Sequence, residues 1–584
     1  MSEINIDLFG WDTTYAISYT KANQAIKDLK ATPDTFTYES KNGKGEVVGS
    51  ITGNWNDWQL TIKGDGQNIT MKCPIKSGTF SDLMDQSDFK LENTWVEVEV
   101  ELNFIEQESR TYFDPTAKKT TGTQHNLLAK TKSSDPESPV ASIVANNFSF
   151  SGATDPDISK AICVGLFEDW FTNHLDSFTH IFSIFVINAK ADKNEFQWLK
   201  PTKLQYATSS TSSLDTSVFG VLAKTENRPI GIDTHSVDAR MLAEAKADSV
   251  FAIAGERFAE KWLLPGCVNM RLGSKDADYQ MSGDGLSFEN DDHIQWATFE
   301  DKNGNPVPAK IDKGNFKVTL VNDEFKVAFT DLYWDAEPGV TIHVDYTEYY
   351  GVELKSGTDK KGKPYKNVLV TTQKSTPSLQ VTMTKATWKE WTDIGVEIGI
   401  AILGSLVGGL IGAAADAAST GATAAVEGAS EVGENVTIDL TEALADVMSE
   451  SEESMGTIAE ESSGEAGSDM TEASDMAEAG ESSETIASKI AGKARSFGKW
   501  MWGTKWKLVG SVVGGGIGAT LGAIPQMIEA VEKEYYSDLP SFDEFGNNCI
   551  GSVKWPNSSG FELESAQLQG ALLLGGKLIE EETK

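Results

Sequence analysis

Val96-Glu97-Val98-Glu99-Val100-Glu101-Leu102-Asn103-Phe104 alternates apolar and polar residues over nine consecutive positions. Successive side chains of an extended chain point to opposite faces, so this stretch sends its apolar residues to one side and its carboxylates to the other. It reads as an antiparallel strand with one face in a core. The same period recurs in Phe316–Leu320, Phe325–Phe329 and Ile342–Tyr346, with turn signals such as Asn42-Gly43 and Asn303-Gly304 between strands. From the amino terminus to about Lys385, antiparallel sheet is the expected main element.

Three segments break this alternation with helical spacing. From about Asp12, Tyr15, Tyr19, Ala22, Ile26 and Leu29 recur at three and four residues; from about Asp157, Val164, Phe167, Phe171, Leu175 and Phe178 do the same. A third segment runs from about Val237 to Trp262, before Pro265. A few long helices among many strands predict an α+β fold, with sheets wrapped around helices.

The chain has 584 residues, of which 87 are acidic and 50 basic, giving a formal charge of −37. That balance lacks the basic footprint of a nucleic-acid binder. Cys73, Cys163, Cys267 and Cys549 are too far apart for a zinc cluster and read as free, mostly buried thiols. The opening residues Met1–Asp7 carry acids where a signal peptide needs a basic start and an apolar run, which predicts synthesis in the cytoplasm and export, if any, by another route.

Composition changes beyond residue 385. Ile398–Ala415 and Leu508–Ile528 are uncharged and contain similar glycine-rich runs, Gly404–Gly412 and Gly510–Gly518. Glycines four apart put a smooth groove on a helix, so the two segments read as a helical hairpin, either buried or surface-lying, with conditional membrane insertion as the alternative. Between them, Asp416–Ser488 holds nineteen acids and no lysine or arginine, and much of it is expected to be disordered or only weakly helical. Strand character returns from about Ser541, including Phe561-Glu562-Leu563.

The candidate site lies just before the second glycine-rich segment. Lys489, Lys493, Arg495, Lys499, Lys505 and Lys507 are interleaved with Trp500, Trp502 and Trp506 and with no acid. Indole rings and ammonium groups suit the head-group level of a bilayer, which makes this a candidate membrane-facing patch. The competing reading pairs the cations with the acidic insert and buries the tryptophans. Lys355, Lys360, Lys361, Lys363 and Lys366 form a second basic cluster, read as a solvated hairpin loop.

Catalytic signatures are missing from the sequence: there is no phosphate-binding Gly-x-x-x-x-Gly-Lys loop, no Gly-x-Ser-x-Gly elbow and no His-Glu-x-x-His. Asp301-Lys302-Asn303-Gly304-Asn305 begins like a calcium loop, but Pro306 stands where glycine is needed. The six histidines, His125, His174, His180, His235, His293 and His343, are scattered. The expectation is a protein without enzymatic activity, cofactor or metal.

Several short motifs, in order, resemble one family. They are Gly10-Trp11-Asp12-Thr13-Thr14-Tyr15-Ala16, Asn54-Trp55-Asn56-Asp57-Trp58, Gly64-Asp65-Gly66, Pro74-Ile75-Lys76-Ser77-Gly78, Trp198-Leu199-Lys200-Pro201, Trp262-Leu263-Leu264-Pro265 and Trp388-Lys389-Glu390-Trp391. On these residues the chain is similar to the tubular lipid-binding (TULIP) superfamily proteins of clostridial orfX-type neurotoxin gene clusters, the forty-seven-kilodalton protein and its OrfX relatives. The resemblance implies a highly curved antiparallel sheet wrapped around a long helix, lipid as ligand, phosphoinositides as head group, and an accessory role beside a toxin. It also implies a membrane surface, a co-encoded toxin or another TULIP-family protein as partner, with release alongside the toxin and association with the target membrane. The long acidic insert departs from the family pattern.

Four regions follow from this reading. Residues 1–150 form a first sheet and helix module and 151–385 a second; 386–540 hold the glycine-rich hairpin with its acidic insert, 416–488; 541–584 are tail strands rejoining the sheet. Three functions stay open at sequence level: a lipid-binding accessory protein, a membrane-inserting component acting through the hairpin, and a purely structural partner in a toxin complex.

Overall fold

Val96–Phe104 lies within an eighteen-residue strand, Trp95–Tyr112, as its alternation predicts. Val96, Val98, Val100 and Leu102 are buried; Glu97 is also largely covered and is ion-paired to Lys63. The computed structural model describes residues 5–386 apart from 29, 31, 65, 113–119, 130–140, 176–183, 187–196, 230–234, 266–274, 301–305, 359–361 and 376–377, together with 435–439, 553–554 and 558–580. The chain divides into two compact units, Met1–Ala254 with Ser541–Lys584, and Gly255–Pro540. Antiparallel sheet dominates each, and described helices are few.

In the first unit a six-stranded sheet runs in the order Pro201–Ser209, Val218–Thr225, Thr13–Ser18, Ser249–Ala254, Ala571–Glu580, Ser558–Leu568. The tail thus rejoins the sheet, with Phe251 opposite Leu574 and Ile253 opposite Leu572. A ten-stranded sheet follows from Thr35–Lys41 through Val47–Trp55, Asn68–Asp82 and Trp95–Tyr112 to Thr120–Ala129, Ile184–Val186 and Val553–Lys554. Asn42-Gly43 opens the turn of its first hairpin, where Gly45 N donates to Asn42 O at 2.8 Å.

The helix Pro156–Asn173 starts where its sequence tells it to. Asp155 accepts from Ile158 N at 3.2 Å, and Pro156 fills the first turn, where a missing N–H costs nothing. Its buried stripe includes Cys163, Leu166, Phe167, Trp170 and Phe171. Trp55 lies 5.3 Å from Trp170 and 4.6 Å from Phe36, ring centre to ring centre, and Trp58 lies 5.7 Å from Phe171. The tryptophans of the Asn54–Trp58 motif therefore serve as the aromatic cement between sheet and helix.

The second unit carries a ten-stranded sheet in the order Tyr279–Met281, Ser287–Asn290, Phe316–Val321, Glu324–Glu337, Val340–Thr358, Ser378–Lys385, Asn435–Asp439, with Ile294–Glu300, Pro306–Ile311 and Pro364–Gln373 attached. The three alternating runs from this region are all strands. The second basic cluster flanks the tip of the hairpin between Val340–Thr358 and Pro364–Gln373, and Lys363 and Lys366 are exposed.

Two expectations are corrected, and the acidic insert adds one strand. The first helix begins at Tyr19, because Thr13–Ser18 is a strand buried at all six positions between two neighbours. A strand covered on both faces needs no polar alternation, so its Tyr15 falls into helical spacing with Tyr19 and Ala22 of the helix that follows. For the same reason Val237–Trp262 is not one helix: Arg240–Ala245 ends at Lys246 (φ 51°), the fully buried strand Ser249–Ala254 follows, and helix resumes at Gly255. The acidic insert also contains an ordered strand, Asn435–Asp439, paired with Ser378–Lys385. Val436-Thr437-Ile438 is a β-branched run, and the Thr437 and Thr382 hydroxyls meet at 2.9 Å. The glycine-rich segments 398–415 and 508–528, Asn303-Gly304, Trp388–Trp391, Leu29, Phe178, Cys267 and Cys549 lie outside the described residues.

Asp12, from the first motif, is fully buried. Its Oδ1 accepts from Lys224 Nζ at 3.0 Å and Arg228 Nη1 at 2.8 Å, while Oδ2 accepts from Thr225 N at 2.8 Å and Thr225 Oγ1 at 3.0 Å. Removing one partner of such a pair strands the other in a dry site. Asp12→Ala is expected to destabilise the first unit by about 3–5 kcal/mol; chemical unfolding followed by fluorescence measures this, and a loss below about 1 kcal/mol contradicts it.

Candidate functional site

All nine residues of the candidate patch, Lys489, Lys493, Arg495, Lys499, Trp500, Trp502, Lys505, Trp506 and Lys507, lie outside the described residues. The described part offers a different site. An open cleft of about 490 Å³ lies in the first unit, where the strand Thr13–Ser18 passes into the helix Tyr19–Asp28.

Four distant segments build it. Ser18 Oγ caps the helix by accepting from Lys21 N at 3.2 Å. The loop before Val218–Thr225 brings Asp215, which accepts from Thr20 Oγ1 at 2.5 Å. The short helix Arg240–Ala245 supplies Leu242 and Ala243, and the turn after it Lys246, Ala247 and Asp248. Its terminal carbonyls would be orphaned, but Ser565 Oγ donates to Ala245 O at 3.2 Å and Gln567 Nε2 to Glu244 O at 2.6 Å. Gly575 admits this approach, since a Cβ there would lie 2.5 Å from Ser565 Oγ and 3.1 Å from Ala245. The same tail hairpin contributes Glu564 and Lys577 to the wall.

Three ammonium groups, Lys21, Lys246 and Lys577, thus face three carboxylates, Asp215, Asp248 and Glu564. Lys21 Nζ pairs with Asp248 Oδ2 at 3.1 Å, and Lys577 with Glu564. The Glu564 hydrogen bond, with its charge, holds the Lys577 ammonium above its usual pKa. Asp248 Oδ1 is buried without a hydrogen-bond partner, and Lys246 is exposed without a salt-bridge partner among the described residues. Lys246 is thus an unused cation in a hollow that also presents carboxylates, which suits a small group bearing both charges.

The histidines and thiols are arranged otherwise. His174 stacks on Trp170 at 4.5 Å and bonds Trp170 O at 2.7 Å; His235 bonds Tyr206 O at 2.8 Å. In the second unit strand register forms His343–Asp331 and His293–Asp312 pairs at 2.5 and 2.8 Å. His180 lies outside the described residues, as does the Asp301–Asn305 turn. Burial pushes the Cys73 and Cys163 thiols well up, so both are poor nucleophiles. Among the described residues no group of three or more His, Cys, Asp or Glu could hold a metal ion, and no helix is long and apolar enough to cross a membrane.

A family profile described as OrfX-like, Protein OrfX2/OrfX3/P47, matches residues 8–451. The chain belongs to the OrfX-like family. This OrfX-like chain is 28% identical over 288 residues to Protein OrfX3 of Paraclostridium bifermentans, and 27% identical over 292 residues to Protein OrfX3 of Clostridium botulinum (strain Kyoto / Type A2). Each match covers 46% of this chain and 56% of the relative, so the chain spans about half the length of the curated relatives it matches. Among solved structures it is similar to P47 of Clostridium botulinum E1, at 15% identity and a TM-score of 0.46 over 74% of this chain and 90% of that one.

Lys21 and Asp248 are each about a third exposed, at 34% and 30%, so their pairing contributes little to stability. Lys21→Gln is expected to change the unfolding free energy by less than about 1 kcal/mol in a urea titration. A larger loss would mean that the cleft's charges hold the fold together rather than wait for a ligand.

Proposed function

We propose that this chain is a non-enzymatic, lipid-binding accessory protein that works beside a protein toxin. Its first-unit cleft takes the zwitterionic head of a lipid still seated in a bilayer. The observation that carries this reading is the cleft's own charge balance, three cations against three carboxylates in a chain of net charge −37. A head group with one ammonium and one phosphate sets its phosphate on Lys246 and its ammonium among Asp215, Asp248 and Glu564, with little loss of the existing pairs. Membership of the OrfX-like family supports the accessory role.

A phosphoinositide head, by contrast, meets Asp215, Asp248 and Glu564 in this hollow and is disfavoured there. Phosphoinositide recognition belongs on this reading to Lys489, Lys493, Arg495, Lys499, Lys505 and Lys507, with Trp500, Trp502 and Trp506 as apolar anchors.

Vesicle flotation separates the two surfaces. Lys246→Glu is expected to weaken binding to phosphatidylcholine and phosphatidylethanolamine vesicles by about tenfold. Replacing Lys499, Lys505 and Lys507 by Gln is expected to cost about a hundredfold on phosphoinositide vesicles alone, at about 1 kcal/mol per lysine. If neither variant changes binding, both assignments fail. Absence of vesicle binding by the parent favours a purely structural partner, and loss only on deletion of residues 386–540 favours membrane insertion.

A further inference from the structure

Tyr346, Glu348 and Tyr350 occupy alternate positions of the strand Val340–Thr358, so all three point to one face of the second-unit sheet. That face is core: Glu348 and Tyr350 are 0% exposed and Tyr346 1%. Both phenols donate to Glu348 Oε2, while Oε1 is buried with no hydrogen-bond partner.

Among the described residues the surroundings supply no counter-charge. On the neighbouring strand Glu324–Glu337, Val327 stands opposite Glu348, Phe325 stacks on Tyr350 at 5.4 Å, and Phe329 meets Tyr346 edge-on at 6.2 Å. Val344, Val352 and Val381 continue the apolar face. The charged residues nearest Glu348 on the packed strands, Glu324, Lys326, Asp345, Glu353 and Lys355, alternate to the other face, as do Asp331 and Asp335 further along, and Lys326 Nζ lies 6.0 Å from the Tyr349 ring centre there. Across the other edge the ladder is interrupted. Tyr350 pairs with Gln373 of one strand and Thr347 with Ser378 of the next, and Glu348 lies between these two pairings. The exposed Lys374, just past Gln373, folds its side chain against Gly351.

An ionised Glu348 would leave an oxygen of its carboxylate uncompensated in a dry, apolar wall. A proton on Oε1 removes that charge while both tyrosine bonds to Oε2 remain. We propose that Glu348, held by Tyr346 and Tyr350, is a proton-binding site that ties the stability of the second unit to pH. Burial pushes its carboxyl up from 4.5 to about 7, with the two tyrosine hydrogen bonds pulling the other way. A carboxyl whose folded pKa is raised binds more protons folded than unfolded, so the unit is steadier on the acid side and loses that advantage as pH rises from about 4.5 through about 7.

Hydrogen exchange of full-length protein tests this, read in peptides from Val340–Thr358 and Glu324–Glu337 and corrected for the intrinsic pH dependence. Between about pH 5.5 and about pH 8.5 the parent is expected to lose about thirtyfold in protection relative to Glu348→Gln, which stays neutral throughout. Equal pH dependence in parent and variant overturns the proposal. If the variant does not fold, infrared spectroscopy of the parent decides: a protonated carboxyl band is expected at about pH 5.5 and gone at about pH 8.5, and its absence at the lower pH also overturns the proposal.

Discussion

The buried carboxylate of Asp12 fixes where the first unit's central sheet begins. Four donors from Lys224, Thr225 and Arg228 converge on it, and its own backbone joins both neighbours: Asp12 N donates to Ala223 O at 3.0 Å, and Ala254 N donates to Asp12 O at 3.0 Å. A charge without water needs every lone pair answered, and the answer here comes from a strand more than two hundred residues away. Register follows from that demand, with Thr13 opposite Ala223 on one side and Ile253 on the other. A one-residue slip would break the charge pairing as well as the ladder.

Three carboxylates in this chain illustrate graded satisfaction. Asp12 has donors on both oxygens and acts as a fastener. Asp248 has a cation on one oxygen, at the wall of the cleft, while the other is buried with no hydrogen-bond partner among the described residues. Glu348 has two phenols on one oxygen and an apolar wall around the second. The three differ in what the second oxygen of the same functional group meets.

The sequence was legible where one strand face is polar. Val96–Phe104, Phe316–Leu320 and Ile342–Tyr346 announce themselves because a polar residue stands at every second position. Thr13–Ser18 and Ser249–Ala254 did not, because both faces are covered and no residue is obliged to be polar. The cleft was illegible for a different reason. Lys21, Asp215, Asp248 and Lys577 each read as ordinary surface charges, and only long-range pairing brings them together. Asp12 carried a signal, a lone acid within Gly-Trp-Asp-Thr-Thr-Tyr-Ala, but its cationic partners could not be named from spacing. The patch that spacing did expose, Lys489–Lys507, lies outside the described residues.

The five-residue strand Asn435–Asp439 constrains the topology of everything before it. Residues 386–434 leave the sheet after Lys385 and re-enter it beside Thr384, one strand spacing away, about 4.8 Å. Whatever path they take is a closed excursion, with a farthest point no more than about 80 Å out even if fully extended. A one-way passage of Ile398–Ala415 through about 30 Å of hydrocarbon is incompatible with that closure. Either Asp416, Glu427, Glu431 and Glu434 must be drawn back through the lipid, or the strand must first unzip from Ser378–Lys385. The small strand is therefore a mechanical latch on the longest apolar movement this part of the chain could make.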